Sequence, residues 1–370
     1  MNYDIWYSLV KLDLILKLKL LKIYKSTERI WNYLKTETPC LLKDDQNETM
    51  SDNCEKKLLN ILKKTWDEDL YNRVNSIIIK NDIKVINYFS DCYPKKLRNF
   101  DDSPSILYFK GDIEKLNDKV LVSIVGSRNC SYYGKNVAST LSKELSLFGF
   151  GIVSGLAKGI DTCAHGGCLE GQGFTCGVLG NGIDIIYPKE NSDLYEKILN
   201  NNGCIISEFP PGTMPYKSNF PIRNRIISGL SEFLLVVEAG KKSGTIHTVD
   251  YALSQGIMIG VIPGSILSEQ SIGTNNLIMQ GARPITSVKD ILFEMGYTLE
   301  LKDQVINKNF SKIKRQIYDL IKNIPIHIDD ILKSCNVDID KLYEVLFELQ
   351  LDNMVISLAG NCYVRMYKDI

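Results

Sequence analysis

Between Lys119 and Gly264 short apolar runs keep stopping at glycine-bearing loops, and this alternation limits the fold more than any other feature of the chain. Val120 to Val125 breaks into Gly126-Ser127-Arg128 and resumes as a helix near Gly134. Gly151 to Val153 breaks into Ser154-Gly155-Leu156-Ala157-Lys158-Gly159-Ile160-Asp161. Thr175 to Leu179 breaks at Gly180-Asn181-Gly182, and Cys204 to Glu208, Phe233 to Glu238 and Met258 to Gly264 continue the series. Between most of these runs lies a segment of helical length and pattern. Short apolar strands alternating with helices imply crossover units and a parallel sheet buried on both faces. Ligands of such sheets sit outside the carboxyl ends of the strands, where the glycine loops fall, so the loops are expected to converge on one crevice.

The flanking segments read differently. Residues 1–78 are expected to form an N-terminal helical, SAM-like module, with Leu9, Leu12, Ile15, Leu16, Leu18 and Leu20 on the apolar side of an amphipathic helix and lysines between them. Thr36 to Asn53 reads as a polar loop and Leu58 to Val74 as another helix. Ile83 to Ile86 and Ile106 to Gly111 read as strands added to the edge of the sheet. The sheet domain is expected over 79–298, a polar linker over 299–310 and a separate unit over 311–370. In that last unit helices at Ile313–Ile321, Ile328–Ser334 and Ile339–Leu349 precede two strands joined by Ala359-Gly360-Asn361, the order of a winged helix. Its third helix carries Asp338, Asp340, Glu344, Glu348 and Asp352 against Lys341, which phosphate repels, so a protein-contact role is expected before DNA reading.

Bulk composition gives no partner: Lys plus Arg and Asp plus Glu number 44 each, so a polyanion would need a local basic patch. Ten cysteines without a Cys-x-x-Cys pair read as reduced thiols of a cytoplasmic protein. Cys163, His165 and Cys168 are close in sequence, but no second ligand pair follows at zinc spacing, and neither a metal nor a cofactor is expected. No uninterrupted apolar stretch is long enough for a membrane span.

Four loops carry anion-binding chemistry. Gly126, Ser127 and Arg128 offer backbone amides, a helix N-terminus near Gly134 and a planar guanidinium. Ser154, Gly155 and Lys158 repeat the device, and Asp161 reads first as a helix cap. In Lys217-Ser218-Asn219-Phe220-Pro221-Ile222-Arg223-Asn224-Arg225, cations beside an aromatic are what single-stranded nucleic acid needs, charge for the backbone and a ring for a base. Two readings of Arg225 stay open, a nucleic-acid contact and a buried pair with Glu208 or Glu238. Ser243, Gly244 and Thr245 open one more helix with hydroxyls and amides. No Gly-x-Ser-x-Gly and no Walker loop is present, and no catalytic residue is assigned.

Taken together these words resemble the DNA-processing protein A family, also called Smf. They are Gly126-Ser127-Arg128 with Tyr133-Gly134, Ser154 to Asp161 with Ala164-His165, Thr175 through Tyr187-Pro188, Ser207-Glu208, Phe220 to Leu230, Val236 to Ala239, Ser243-Gly244-Thr245, Pro263-Gly264 and Gly281-Ala282. The resemblance covers about residues 80–295 and implies a non-enzymatic protein. It implies an extended Rossmann-like domain that binds single-stranded DNA, forms a homodimer and loads RecA recombinase onto DNA in natural transformation. Arg128, Lys217, Phe220, Arg223 and the Ser154-Gly155 loop would contact DNA, joined in that crevice by Asn224 and Arg225, and the dimer surface would lie between about Met258 and Arg283. The rival is an enzyme similar to cytokinin-activating phosphoribohydrolases, whose Gly-Gly-x-Gly-Thr-x-x-Glu word is matched here by Gly244-Thr245-Ile246-His247-Thr248, with threonine in place of the carboxylate. A third reading is a nucleotide-sensing scaffold.

Overall fold

The structure, a computed structural model, describes residues 1–36, 61–64, 66–241, 243–297, 311–322, 326–335, 337–351, 354–358 and 360–365. It divides into two units, Met1–Met295 and Gly296–Ile370.

The first unit is built on nine strands: β1 (Lys84–Asn87), β2 (Ile106–Gly111), β3 (Leu121–Val125), β4 (Gly151–Ser154), β5 (Thr175–Leu179), β6 (Cys204–Ser207), β7 (Phe233–Val236), β8 (Met258–Val261) and β9 (Arg283–Pro284). Their spatial order is β1-β2-β6-β5-β4-β3-β7-β8-β9. From β6 across to β9 every neighbouring pair is parallel, and β1 and β2 close one side as antiparallel strands, β2 against β6. Every residue of β3 to β7 is buried, which is why these strands read as continuous apolar runs instead of alternating ones. The chain moves outward from β3 through β4 and β5 to β6, then returns to lay β7 on the other side of β3, with Ser123 level with both Val153 and Leu234. That reversal is the topological switch point, where a crevice opens between loops that diverge.

The N-terminal helices do not form a module of their own. Ile5, Trp6, Tyr7, Leu20 and Leu21 share one core with Tyr108, Leu156 and Ile205 of the sheet region, and the Ser8 hydroxyl hydrogen-bonds the Tyr108 phenol. The single amphipathic helix expected through Leu9–Leu20 is corrected to two, Tyr3–Leu9 and Leu14–Tyr24. Asp13 starts the second by accepting from the Ile15 and Leu16 amides. Lys17 is buried, not on a polar face: its ammonium donates to the carbonyls of Ser8 (2.8 Å) and Val10 (3.2 Å), at the negative end of the first helix. Burial lowers this lysine to about 7, partly opposed by Glu208. The expected Leu58–Val74 helix is also interrupted. Residues 61–64 are helical, and a new helix, Glu68–Lys80, begins at the Asp67 cap. The loop expected after Thr36 and the linker expected over 299–310 lie outside the described residues.

The second unit holds helices Lys312–Leu320, Ile328–Ser334 and Ile339–Leu351 with strands β10 (Ile326–His327), β11 (Val355–Leu358) and β12 (Cys362–Arg365), ordered β10-β12-β11. The hairpin turns through Gly360 and Asn361, both at positive φ, where glycine and asparagine are the residues least strained. Short β10 adds a third strand to the expected hairpin. Ile317, Ile331, Leu342, Leu346, Leu349 and Val355 make its core.

Candidate nucleic-acid interface

The carboxyl ends of β3 and β7 open onto a cleft of about 600 Å³. Gly126, Ser127 and Arg128 from the β3 loop line it, with Lys217, Phe220, Arg223 and Asn224 from the segment after β6 and Ser243, Gly244 and Thr245 after β7. The crossover thus brings all four anion-binding segments to one place, the β4 loop contributing Ala157 and Asp161.

The rim is defined by Phe220. This half-buried ring has the exposed Arg128 guanidinium 5.3 Å from its centroid, Arg223 at 5.9 Å and the Tyr187 ring at 5.7 Å. Gly180 leaves room behind it, since an added Cβ would sit 2.8 Å from Phe220 Cδ1. Lys217 is exposed nearby on the loop leading into helix Asn219–Gly229. Among the described residues lining the cleft, Arg128 and Lys217 are the arginine and lysine that stay open to an incoming phosphate.

The two arginines of that helix serve as internal ties. Arg223 is 3% exposed and donates Nη1 to the carbonyls of Gly155 (2.8 Å) and Val178, stitching the helix to the ends of β4 and β5. Gly155 lets these groups approach the backbone closely: an added Cβ would lie 2.7 Å from both Arg223 Nη2 and Asp161 Oδ2, which would have to shift. Burial lowers Arg223 to about 10, so it remains protonated at neutral pH, with Asp161 working to keep its charge. Burial likewise pushes the Asp161 carboxyl up, opposed by the Arg223 charge and by the Ala157 amide. Arg225 grips Glu208 with two parallel hydrogen bonds, 2.6 and 2.7 Å, and donates Nε to the Asp102 carbonyl at 2.8 Å. Of its two open readings, the buried carboxylate pair is the one observed, with Glu208 and not Glu238.

Other expected contacts are also committed within the fold. Ser154 is buried and donates to the Ile124 carbonyl at 2.6 Å. Lys158 reaches out to Glu190 in an exposed ion pair beside the Phe220 ring, lining a smaller adjoining hollow with Gly155. Asn224 accepts from Arg223 Nε at 3.2 Å. The helix N-terminus near Gly134 is filled by the Glu238 carboxylate, against which an added Gly134 Cβ would close to 2.5 Å. By contrast there is open space at the end of helix Thr245–Ser254: nothing lies within 4 Å of a Cβ added at Gly244, although the Thr245 amide already donates to Ser243 Oγ at 3.2 Å.

Sequence reasoning left Tyr187, Asn129 and His247 without roles, yet all three line the cleft. Tyr187-Pro188 was the one available signal, an aromatic next to a chain-stiffening residue. Thr248, at the position where the phosphoribohydrolase word has glutamate, is a buried hydroxyl on the cleft wall. His165 lies elsewhere, buried under β5 with Nδ1 2.7 Å from Thr175 Oγ1. Among the described residues no three His, Cys, Asp or Glu side chains are grouped to hold a metal.

Comparison with known proteins agrees with this architecture. Residues 84–296 match the model of the family described as DNA recombination-mediator protein A, and 309–361 match the DprA winged helix domain. DNA processing protein DprA of Bacillus subtilis is 41% identical over 223 residues, covering 60% of this chain and 75% of that protein. Protein Smf of Escherichia coli is 35% identical over 285 residues, covering 75% and 76%. The X-ray structure of DNA processing protein A from Streptococcus pneumoniae superposes with a TM-score of 0.63 at 31% identity, over 80% of this chain and 98% of that one. That of DNA processing protein A from Helicobacter pylori, solved for its single-stranded DNA binding mode, gives 0.53 at 31% identity, over 58% and 97%. The match runs from the antiparallel edge through every glycine loop to the C-terminal unit, and the chain belongs to the DNA recombination-mediator protein A family of DNA-processing proteins.

Proposed function

We propose that the chain binds single-stranded DNA at the β3–β7 crevice and loads RecA recombinase onto it, in natural transformation or general recombination. The observation that carries this reading is the Arg128–Phe220 pair at the rim, with Lys217 beside it. A guanidinium resting on an aromatic face contributes only about 0.5–1 kcal/mol at an exposed site. An incoming strand can therefore displace it: the base takes the ring, and the freed Arg128 turns to a backbone phosphate of the same strand. The space beside Gly244 at the N-terminus of helix Thr245–Ser254 would take a second phosphate, for which the Ser243 and Thr245 hydroxyls would exchange their mutual hydrogen bond. The Helicobacter pylori relative's single-stranded DNA binding supports the same ligand class.

A homodimer is part of this reading. A groove of about 310 Å³ draws Met258, Ile259, Leu277, Ala282 and Arg283 from the stretch expected to mediate self-association, and Leu253 from the helix before it. Leu253 in this groove is 65% exposed. Among the described residues no helix is long and apolar enough to cross a membrane. A cytoplasmic location is part of the proposal.

Fluorescence anisotropy with oligo-dT and a matching duplex over a salt series tests the DNA reading. Single strands are expected to bind more tightly, and Phe220→Ala to weaken binding by about 1–3 kcal/mol without changing the salt slope. Equal affinity for both forms, or a slope change with Phe220→Ala, counts against it. RecA-dependent ATP hydrolysis on DNA coated with single-strand binding protein tests the loading step, and no stimulation by the chain would reject it.

A further inference from the structure

Helix Ile339–Leu351 of the second unit has two apolar faces, and its own fold uses one. Leu342, Val345, Leu346 and Leu349 point into the core and are at most 3% exposed. Ile339, Tyr343, Phe347 and Leu351 are 49%, 46%, 61% and 67% exposed. Their spacing of four residues places them in a single line along the outer surface. One exposed apolar side chain is ordinary, but a line of four with two aromatics marks a contact surface.

The flank of that line decides what it contacts. Asp340, Glu344 and Glu348 each follow one residue after Ile339, Tyr343 and Phe347, and all three are exposed. Lys341 is the helix's one cation, and it is spent on Glu344 at 2.7 Å, while Lys314 of helix Lys312–Leu320 reaches Glu348 at 2.9 Å. Exposed pairs of this kind are worth little and yield to a better-placed cation. In a winged helix this element is the one placed to enter a DNA groove, but a row of carboxylates beside bare apolar side chains repels phosphate. A second copy of the same face would bring acidic rows together with no unpaired cation on either helix to meet them.

We propose that this face docks an amphipathic helix of a partner protein, its apolar side chains packing between Tyr343 and Phe347 and its Lys or Arg row lying along Asp340, Glu344 and Glu348. This is helix-on-helix recognition with an acidic rim, and the aromatics are its anchors. It stands apart from the crevice reading, since neither set of residues takes part in the other.

The test uses the full chain and three labelled synthetic helices with identical apolar positions, whose flanking positions are Lys, Gln or Glu. The Lys-flanked helix is expected to bind about tenfold more tightly than the Glu-flanked one. Phe347→Ala, and separately Tyr343→Ala, are expected to weaken it by about tenfold while leaving the melting curve unchanged, since both side chains are exposed. Glu344→Lys with Glu348→Lys is expected to reverse the preference. Equal binding of Lys- and Glu-flanked helices, no binding of the Lys-flanked helix, or full affinity in both aromatic variants overturns the proposal. So does a loss of duplex DNA affinity in Phe347→Ala, or its conversion of a dimer to a monomer in sedimentation.

Discussion

Ser131 and Glu238 are joined twice at the head of helix Tyr132–Leu147: the Ser131 amide donates to Oε2 at 2.8 Å and its hydroxyl donates to Oε1 at 2.5 Å. The positive end of that helix is thereby neutralised by the chain's own carboxylate. Glu238 stands two residues past the end of β7 and its carbonyl also accepts from the Ser127 amide at 2.8 Å, so one residue fixes the β3 loop from two sides. In the proposed reading, phosphate is left with Arg128, Lys217 and the helix that starts at Thr245.

Gly134→Ala tests this arrangement. Its Cβ would lie 2.5 Å from the Glu238 carboxyl group, which has to move. Urea denaturation is expected to show a loss of about 1–3 kcal/mol, the usual penalty of overpacking. Unchanged stability would mean that the carboxylate is loosely held.

Arg128→Ala and Lys217→Ala are each expected to weaken oligo-dT binding and to reduce the slope of log K against log salt by about 0.7, the value for one phosphate contact on a single strand. Anisotropy titrations at several salt concentrations measure this directly. A full slope in both variants would place the strand elsewhere.

Arg223→Ala and Arg225→Met are expected to act on stability. Each leaves buried groups without their donor, and breaking a buried charged pair costs about 3–5 kcal/mol. For Arg225 the double variant Arg225→Met with Glu208→Leu is expected to recover most of the loss, because no charge is then stranded. Loss of DNA affinity with undiminished denaturation midpoints would return both arginines to the binding surface.

His165 predicts a pH dependence. Burial, aided by the Arg223 charge, lowers it from 6.5 to about 3. Its stabilising contribution is complete above pH 6.5 and falls as the pH drops toward 3, because between these values the unfolded chain takes up a proton that the folded chain refuses. At pH 5 the loss is about 2 kcal/mol relative to neutral pH. His165→Gln, which retains a partner for Thr175, is expected to flatten this part of the stability curve measured by urea titration. An identical acid slope in the variant would assign the effect to other groups.

The sheet was readable because burial on both faces writes each strand as an uninterrupted apolar word, and glycine marks where each one stops. The winged helix was readable for a related reason, since its helices and hairpin have different periods. The orientation of individual cations was not. Arg223 and Arg225 stand two residues apart in a polar-looking helix, and both turn inward because carbonyls at the ends of β4 and β5 and the Glu208 carboxylate await them. Those acceptors are 17 to 68 residues away in the chain, so Glu208 could be named only as one candidate partner for Arg225, and nothing local announces the carbonyls that hold Arg223. Lys17 misled in the same way: its spacing fits a solvated face, but its amine closes the end of the preceding helix. Phe220 and Arg128 were named separately from their motifs, while their stacking depends on the crossover that sets β7 beside β3.

The outermost strand, β9, is two residues long and one of them is Pro284. Proline has no N–H to offer, so this border of the sheet presents almost nothing that a foreign strand can zip onto. Copies of the chain that meet on this side must therefore recognise one another through side-chain shape, not by extending the ladder. A homodimer formed there would be open to disruption by a single bulky or charged side chain, and it would not seed fibrous growth.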